Sequence, residues 1–417
     1  MQIGIGSKVE RDARRVVEAL LLEEPAILVE GPRGSGKSTL LREITLSSGG
    51  RLVDLDDEAV LSVVLQDPTT ALLSPGLVLI DEFQRAPAVL SVVKRVVDRE
   101  GGPGRFLIAG SVSAPLLPIG SETLTGRVHR MLLPPLSAGE VLKGSGRLLP
   151  TLLEGGTPPT LISSLSRPDY FSLVGAGGYP AALARHTPTA RRRWFASYLA
   201  SIAERDLPQV ADIRHPGALP RLYRHLAQNT STVVGRTGLG EPLGLSVMTG
   251  RAYLDLLIHV HLIRELPGWT VGISAKAGRR PKIHVADTGL AAASIGMDSQ
   301  RLAASDLAGL FLESYVLSEI TKQAGLVDEP LELAHFRDRS GVEVDLIIER
   351  PDGSVIAIEI KSATTVNQAD TKGLRFLRDR LGDRFHTGLL LHTGPLTAHL
   401  DDRLWAAPVS ALWQAEG

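Results

Sequence analysis

Three groups of residues in this chain have the types and spacing that do chemistry. The first is Gly31-Pro32-Arg33-Gly34-Ser35-Gly36-Lys37-Ser38, which matches G-x-x-x-x-G-K-[ST] at every fixed position. Glycines in such a loop let backbone N–H groups approach phosphate oxygens with no Cβ in the way. The helix that follows turns its positive end toward the same anion. Lys37 is placed to reach the β- and γ-phosphates of ATP, and the Ser38 hydroxyl to hold Mg²⁺, with Thr39 closing the cradle.

The second group is Asp81-Glu82, which ends the apolar run Leu77-Val78-Leu79-Ile80. A buried parallel strand carries Asp81 to its C-terminal edge, where it can bind Mg²⁺, and Glu82 beside it can polarise the attacking water. Ser111, ending Phe106-Leu107-Ile108-Ala109-Gly110, stands either as a γ-phosphate sensor or as a plain turn cap. Arg127 is the candidate transition-state cation, with Arg130 beside it, acting in cis or across a subunit boundary; surface ion pairing is the alternative for both.

The third group lies near the C-terminus. Val342–Glu349 and Val355–Lys361 flank the turn Pro351-Asp352-Gly353. Pairing the strands about Asp352 sets Asp345 opposite Glu359 and Glu343 opposite Lys361, with all four on one face. Val342, Val344, Leu346 and Ile348 with Ile356, Ile358 and Ile360 then form a core face. Opposed carboxylates repel unless a cation or proton lies between them. The alternative is a solvated charged face with a Glu343–Lys361 ion pair. Glu313 sits on a preceding helix, Ala308 to Gln323.

The elements that must position these groups follow from pattern. Ala26-Ile27-Leu28-Val29 reads as a short buried strand into the glycine loop, and Leu40–Ile44 opens a helix. Residues 7–24 and Ala59–Leu65 read as helices, and Arg51–Asp56 as a strand. Residues 143–168 are rich in Gly, Pro and Ser and read as a flexible insertion. Asp169–Arg185 and Thr189–Val210 read as lid helices, with Trp194, Phe195, Tyr198 and Leu199 as their packing face. Leu219–Asn229, Thr232–Leu239 and Ser246–Leu262 read as three helices, followed by strands at Arg264-Glu265-Leu266 and Lys282–Val285. That is a winged-helix pattern, with Lys276, Arg279, Arg280 and Lys282 as wing residues set against DNA phosphates; a purely structural role is the alternative. Lys372, Arg375 and Arg378 have helical spacing and make either a phosphate-contacting face or a solvated one.

Composition bounds the rest. A chain of 417 residues calls for two or three domains, and 43% hydrophobic with 22% charged residues is ordinary for a globular protein. A formal net charge of −1 excludes a globally basic nucleic-acid binder and leaves local patches open. With no cysteine, disulfides and thiolate metal sites are excluded. The residues 1–16 lack the apolar core of a signal peptide, and no run reaches a membrane span, so the expected setting is cytoplasmic with no membrane partner.

In order, GPRGSGKST, LVLIDEFQRAP, IAGS, LTGRVHRMLLPPLSAGE and GGYPAAL resemble the prokaryotic AAA-superfamily ATPases that carry a C-terminal domain of unknown function. The resemblance spans nearly the whole chain. It implies an α/β protein: a P-loop AAA-type ATPase core (a parallel sheet with helices on both faces) at 1–142, the insertion at 143–168, a helical lid at 169–215, a winged helix at 216–295, and an α/β domain at 296–417 similar to PD-(D/E)xK nucleases. By that likeness Asp345 and Glu359 bind Mg²⁺ or Mn²⁺, Lys361 orients the attacking water, Glu313 completes the acidic set, and Gln368 positions the substrate backbone. The expected activity is Mg²⁺-dependent ATP hydrolysis by Lys37, Ser38, Asp81 and Glu82, coupled to DNA processing, with a homo-oligomer if the arginines act in trans. The alternatives are an ATP-driven switch that binds DNA or proteins without cutting, and a winged-helix transcriptional regulator.

Overall fold

The computed structural model describes residues 3–6, 8–113, 124–144, 147–209, 211, 213, 215–235, 238–270 and 280–414. Its first layer is a five-stranded parallel sheet of β1 (Ala26–Glu30), β2 (Arg51–Asp54), β3 (Val78–Asp81), β4 (Phe106–Gly110) and β5 (His129–Leu132), in the order β2-β3-β4-β1-β5. β1, β3 and β4 are buried along their whole length, which is why they read as continuous apolar runs and not as alternating ones. On one face Ile27, Val29, Leu79 and Leu107 pack with Leu40, Leu41 and Ile44 of the helix Lys37–Ser48. On the other, Leu28, Ile80 and Ile108 pack with Val89, Val92, Val93 and Val96 of the helix Val89–Glu100. The expected parallel sheet with helices on both faces is present.

The stretch 147–168 contains a packed helix, which corrects the reading of 143–168 as a flexible insertion over that part. The helix Leu148–Leu153 buries Leu148, Leu149 and Leu152, and Ile162 bridges to Leu396. Three leucines at helical spacing had been outweighed by the surrounding glycines and prolines.

The lid helices Arg167–Ala176 and Pro188–Ser201 flank a break at Gly177-Gly178. Gly177 has φ +66°, and a Cβ there would lie 2.3 Å from an oxygen of buried Asp287, whose carboxylate accepts the Gly178 N–H at 2.7 Å. Next come the helices Ala218–Gln228 and Val247–His259 with a three-stranded antiparallel sheet: β6 (Thr232–Val233), β7 (Ile263–Leu266) and β8 (Lys282–Val285), ordered β6-β8-β7. Among the described residues of Thr232–Leu239 the expected helix does not form. Two β-branched residues pair with β8 instead, and only a 3₁₀ turn at Glu241–Leu243 follows. Lys276 and Arg279 lie outside the described residues.

The last layer is a mixed six-stranded sheet of β9 (Glu332–Arg337), β10 (Glu343–Glu349), β11 (Val355–Lys361), β12 (Phe385–His392), β13 (Ala398–Asp401) and β14 (Leu404–Pro408), ordered β13-β14-β12-β11-β10-β9. The helix Ala308–Ala324 covers one face and Lys372–Leu381 the other. Lid, middle segment and the first of those faces share one continuous buried cluster, while the second face has a core of its own. No helix among the described residues is long and apolar enough to cross a membrane.

Leu149, fully buried, tests the packed reading of 147–168. Leu149→Ala should destabilise the protein by about 2–5 kcal/mol in urea unfolding, whereas a loose insertion would register under about 0.5 kcal/mol.

Candidate active site

The glycine loop leaves β1 and enters the helix Lys37–Ser48 through Gly34 and Gly36, at φ +76° and +104°. Those left-handed conformations cost glycine nothing and turn successive N–H groups to one side. A Cβ on Gly31 would come within 2.2 Å of the Leu133 carbonyl oxygen, so only glycine fits against the segment after β5. Lys37 is buried, and its ammonium donates to the carbonyls of Gly31 (2.8 Å) and Pro32 (3.0 Å) across the mouth of the loop. Burial lowers its pKa to about 8 against the opposing pull of Glu82 and Asp81. The buried Ser35 hydroxyl has no partner. A collar of N–H groups, a desolvated ammonium and an orphaned hydroxyl suit a phosphate chain. Arg33, Gly34 and Thr39 form the exposed rim.

Asp81 ends β3 buried beside Ser38, and their side chains are hydrogen bonded. Burial raises the Asp81 pKa to about 6, with the Ser38 hydrogen bond opposing it. The pair expected to share Mg²⁺ is therefore assembled. Glu82 adopts φ +53°, a strained conformation for a residue with a side chain, and turns its carboxylate to Gln84 and to Ser111, whose Oγ lies at 3.4 Å. Gln84 Nε2 in turn donates to Ser111 Oγ at 3.0 Å. Ser111 thus meets the candidate water-polarising acid directly.

The candidate arginines are elsewhere. Arg127 pairs with Asp98 at 2.5 Å, and Arg130 is bidentate with Glu30 (2.7 and 3.0 Å). Neither contacts the glycine loop in its own chain. Three residues that pattern reading missed do contact it. Arg11, buried, donates to the Ser35 carbonyl at 2.5 Å, to Pro134 O at 2.7 Å, and pairs with Glu140 at 2.9 Å. Asp206 pairs with Arg33 at 2.9 Å, and the Tyr198 hydroxyl donates to Arg33 O at 2.8 Å, which ties the lid to the loop. These contacts bridge 24 to 173 positions of sequence and have no local signature.

At the C-terminal group the predicted register holds: Leu346 pairs with Ile358 and Ile348 with Ile356, and continuing that ladder sets Asp345 level with Glu359. A bulge in β10 against β9 between Val344 and Ile347 changes the faces. Val342 and Val344 pack with the helix Lys372–Leu381, while Leu346 and Ile348 pack on the opposite face. The single core face expected for all four is therefore split. Glu343 turns to Arg337 at 2.8 Å, so no Glu343–Lys361 pair forms; Lys361 instead holds Glu359 at 2.6 Å.

Between the acids sits a lysine. The Lys282 ammonium, only 6% exposed, is 2.9 Å from Glu313 Oε1 and 3.5 Å from Asp345 Oδ1. Expected on an exposed wing, it projects from β8 into the acidic cluster. Burial pulls its pKa down, yet Glu313 and Asp345 outweigh that and the net shift is upward. Burial and then Asp345 push Glu359 to about 8, and the same two causes raise Glu313 well above the usual range. One Glu359 carboxylate oxygen remains buried without a partner. Among the described residues no three His, Asp or Glu side chains come close enough to hold a metal ion, so the set does not fit Mg²⁺ or Mn²⁺ as it stands. Arg375 and Arg378 both pair with Asp401 at 3.3 Å, which leaves Lys372 as the exposed cation of that helix face. Gln368 starts a 3₁₀ turn beyond β11.

The sheet order, the loop and the Ser38–Asp81–Glu82 constellation define a P-loop ATPase of the AAA class. An AAA domain model matches residues 23–142, and two domains of unknown function match residues 167–301 (DUF8612) and 308–412 (DUF4143). The chain is 32% identical over 358 residues, covering 85% of it and 74% of each relative, to the uncharacterized proteins Mb2031c of Mycobacterium bovis and Rv2008c of Mycobacterium tuberculosis, and it belongs to their family. Among solved structures, the Walker-type ATPase PABY2304 of Pyrococcus abyssi aligns with TM-score 0.44 at 14% identity over 70% of this chain and 97% of that one. AMPPCP-bound DnaA from Aquifex aeolicus aligns with TM-score 0.30 at 13% identity over 60% and 88%. At those scores the likeness carries no functional argument.

Two outcomes check the nucleotide site. Binding of Mg²⁺–ATP should strengthen as pH rises through about 6, where Asp81 ionises, and weaken above about 8, where Lys37 loses its proton. A flat titration from pH 5 to 9 would contradict this. Glu82→Gln should keep ATP affinity within about threefold and slow steady-state turnover by about 10²-fold or more, the range of a lost general base.

Proposed function

We propose that this protein is a Mg²⁺-dependent ATP-hydrolysing switch that acts on DNA, and whose C-terminal acidic site is closed in the state described here. The observation that carries the ATPase reading is the buried Asp81 set beside Ser38 and the Lys37 ammonium, with Glu82 held at the same strand end. Bound ATP and Mg²⁺ would supply the phosphoryl group and the charge that stabilises its transfer. The chain's own part is to cradle phosphate at residues 31–36, neutralise it with Lys37, hold the metal with Ser38 and Asp81, and let Glu82 draw a proton from water. Glu82 is restrained by Gln84 and Ser111, so a change at the phosphate end would reach it through that network. Arg127 would act, if at all, on a neighbouring copy, since its own chain keeps it on Asp98.

The lid is the route outward. Asp206 and Tyr198 grip Arg33 on the loop rim, and Asp287 joins the lid break to the helix Thr288–Ser294. Movement there would shift the helix Val247–His259 and the β7–β8 hairpin, the parts of a winged helix that would meet DNA, with Arg280 exposed at the hairpin. Lys282 would leave the Glu313–Asp345 gap in the same movement, which opens the acids to a metal and revives the nuclease reading of Asp345, Glu359 and Lys361. A second reading has its own support. The first turn of Val247–His259 exposes Val247 and Met248, the latter 83%, an apolar pair better suited to a protein partner than to phosphates.

The test is cleavage of labelled single-stranded, duplex and branched DNA with Mg²⁺ or Mn²⁺, with and without ATP. Wild type, Lys37→Ala, Glu359→Ala and Lys282→Met would be compared. Cutting that needs Glu359, needs ATP in the wild type and becomes ATP-independent in Lys282→Met is the expected outcome. Intact ATP turnover with no cutting by any variant would remove the nuclease and leave a binding switch.

A further inference from the structure

The proposed function does not explain the surroundings of the Arg264 guanidinium. It lies on β7 directly across from His284 on β8, so both side chains leave the same face of the hairpin. On that face His284 meets Ser314 of the helix Ala308–Ala324. Among the described residues the Arg264 guanidinium has no hydrogen-bond or ion-pair partner. Burial alone lowers its pKa to about 10, with no carboxylate opposing. Arg264 is partly exposed and lines two adjoining half-open pockets of about 360 and 400 Å³, both also lined by Pro134, Pro135 and Thr321. Holding a cation in such a place is costly unless an opposite charge joins it.

The walls offer no such charge. Glu30 is engaged by Arg130, Glu319 by Lys322 at 2.6 Å, and Glu140 by Arg11. Glu265 has an interaction of its own and none with Arg264. Two further polar groups on the walls lack partners: Thr321 Oγ1, and Nε2 of His284, which is 1% exposed. His284 Nε2 is 3.9 Å from Glu313 Oε1, beyond hydrogen-bond range, while Nδ1 is satisfied by Ser231 and Ser314. Leu132, Pro134, Ile258, Ile263 and Leu317 form an apolar wall of the smaller pocket, which Glu30 and Glu265 also line. A cationic fork with unpaired polar groups beside an apolar wall in a pocket of that size is the make-up of a small-molecule site.

We infer that the junction of ATPase core, β7–β8 hairpin and C-terminal helix is a binding site for a small organic oxyanion, a phosphate monoester or a carboxylate. Arg264 holds its charged head, Thr321 and His284 make secondary polar contacts, and the apolar wall takes its body. The site does not depend on the nuclease reading. It adjoins the nucleotide cradle at Pro32, whose carbonyl accepts from Lys37, so an occupant would also lean on the glycine loop.

The test is isothermal titration of the full chain with phenyl phosphate and with benzoate, under saturating Mg²⁺ and a non-hydrolysable ATP analogue so that the glycine loop is filled. Saturable binding of either probe, weakened at least about tenfold in Arg264→Met and about threefold in Thr321→Val, is expected, and the better probe tells phosphate from carboxylate. Arg264→Met should bind the ATP analogue as wild type does and unfold at no lower temperature, because it removes a partly buried charge that no partner offsets. Absence of binding to wild type, or equal binding by wild type and both variants, would overturn the site.

Discussion

The contact between Lys282 and the Glu313–Asp345 pair joins three parts of the chain that are far apart in sequence. Lys282 belongs to the β7–β8 hairpin, Glu313 to the helix over the C-terminal sheet, and Asp345 to the bulged strand β10. Three carboxylates in one buried space would repel each other and take up protons or a cation. A lysine supplied by the neighbouring unit meets that demand, and the hairpin's orientation follows. Buried ion pairs add little net stability over apolar packing, but removing one partner strands the other. Such a contact selects one arrangement of units over others and reverses sharply when it breaks.

The nucleotide end is built on the same principle. Lys37 and Asp81 are buried with shifted pKa values in opposite directions from their usual ranges, down to about 8 and up to about 6. Each group is primed for a ligand of opposite charge: Lys37 opens the helix that follows β1, and Asp81 ends β3, with both strands in the middle of a sheet covered on both faces. Lid contacts to Arg33 and brace contacts from Arg11 tie that loop to the rest of the chain.

Much of this was legible in the sequence, for identifiable reasons. The glycine loop, Asp81 and the parallel strands are local patterns, with fixed spacings or apolar runs, and the structure places them as expected. The β10–β11 register followed from a short Pro-Asp-Gly turn, since such a turn leaves few ways to pair its flanks. What failed was decided at a distance. Lys282 looked like a wing residue because neither Glu313 nor Asp345 is near it in sequence. The β10 bulge reassigned Val344 without any glycine to announce it. Thr232-Val233 pair with β8 across a long connection, and Leu148–Leu153 found a core that local composition concealed. Arg11 and Arg264 carry no motif, and their meaning lies in what surrounds them.

The central claim is that Lys282 is the cation of the acidic cluster and holds the hairpin to the C-terminal unit. A double-mutant cycle of Lys282→Met and Glu313→Gln measures that directly, followed by urea unfolding through tryptophan fluorescence, since Trp269, Trp405 and Trp413 lie in or against the C-terminal sheet. The account predicts that each single substitution costs stability and that the double mutant recovers part of the loss, with a coupling of about 1–3 kcal/mol. Additivity within about 0.5 kcal/mol would show that the two side chains do not depend on each other, and would contradict the account.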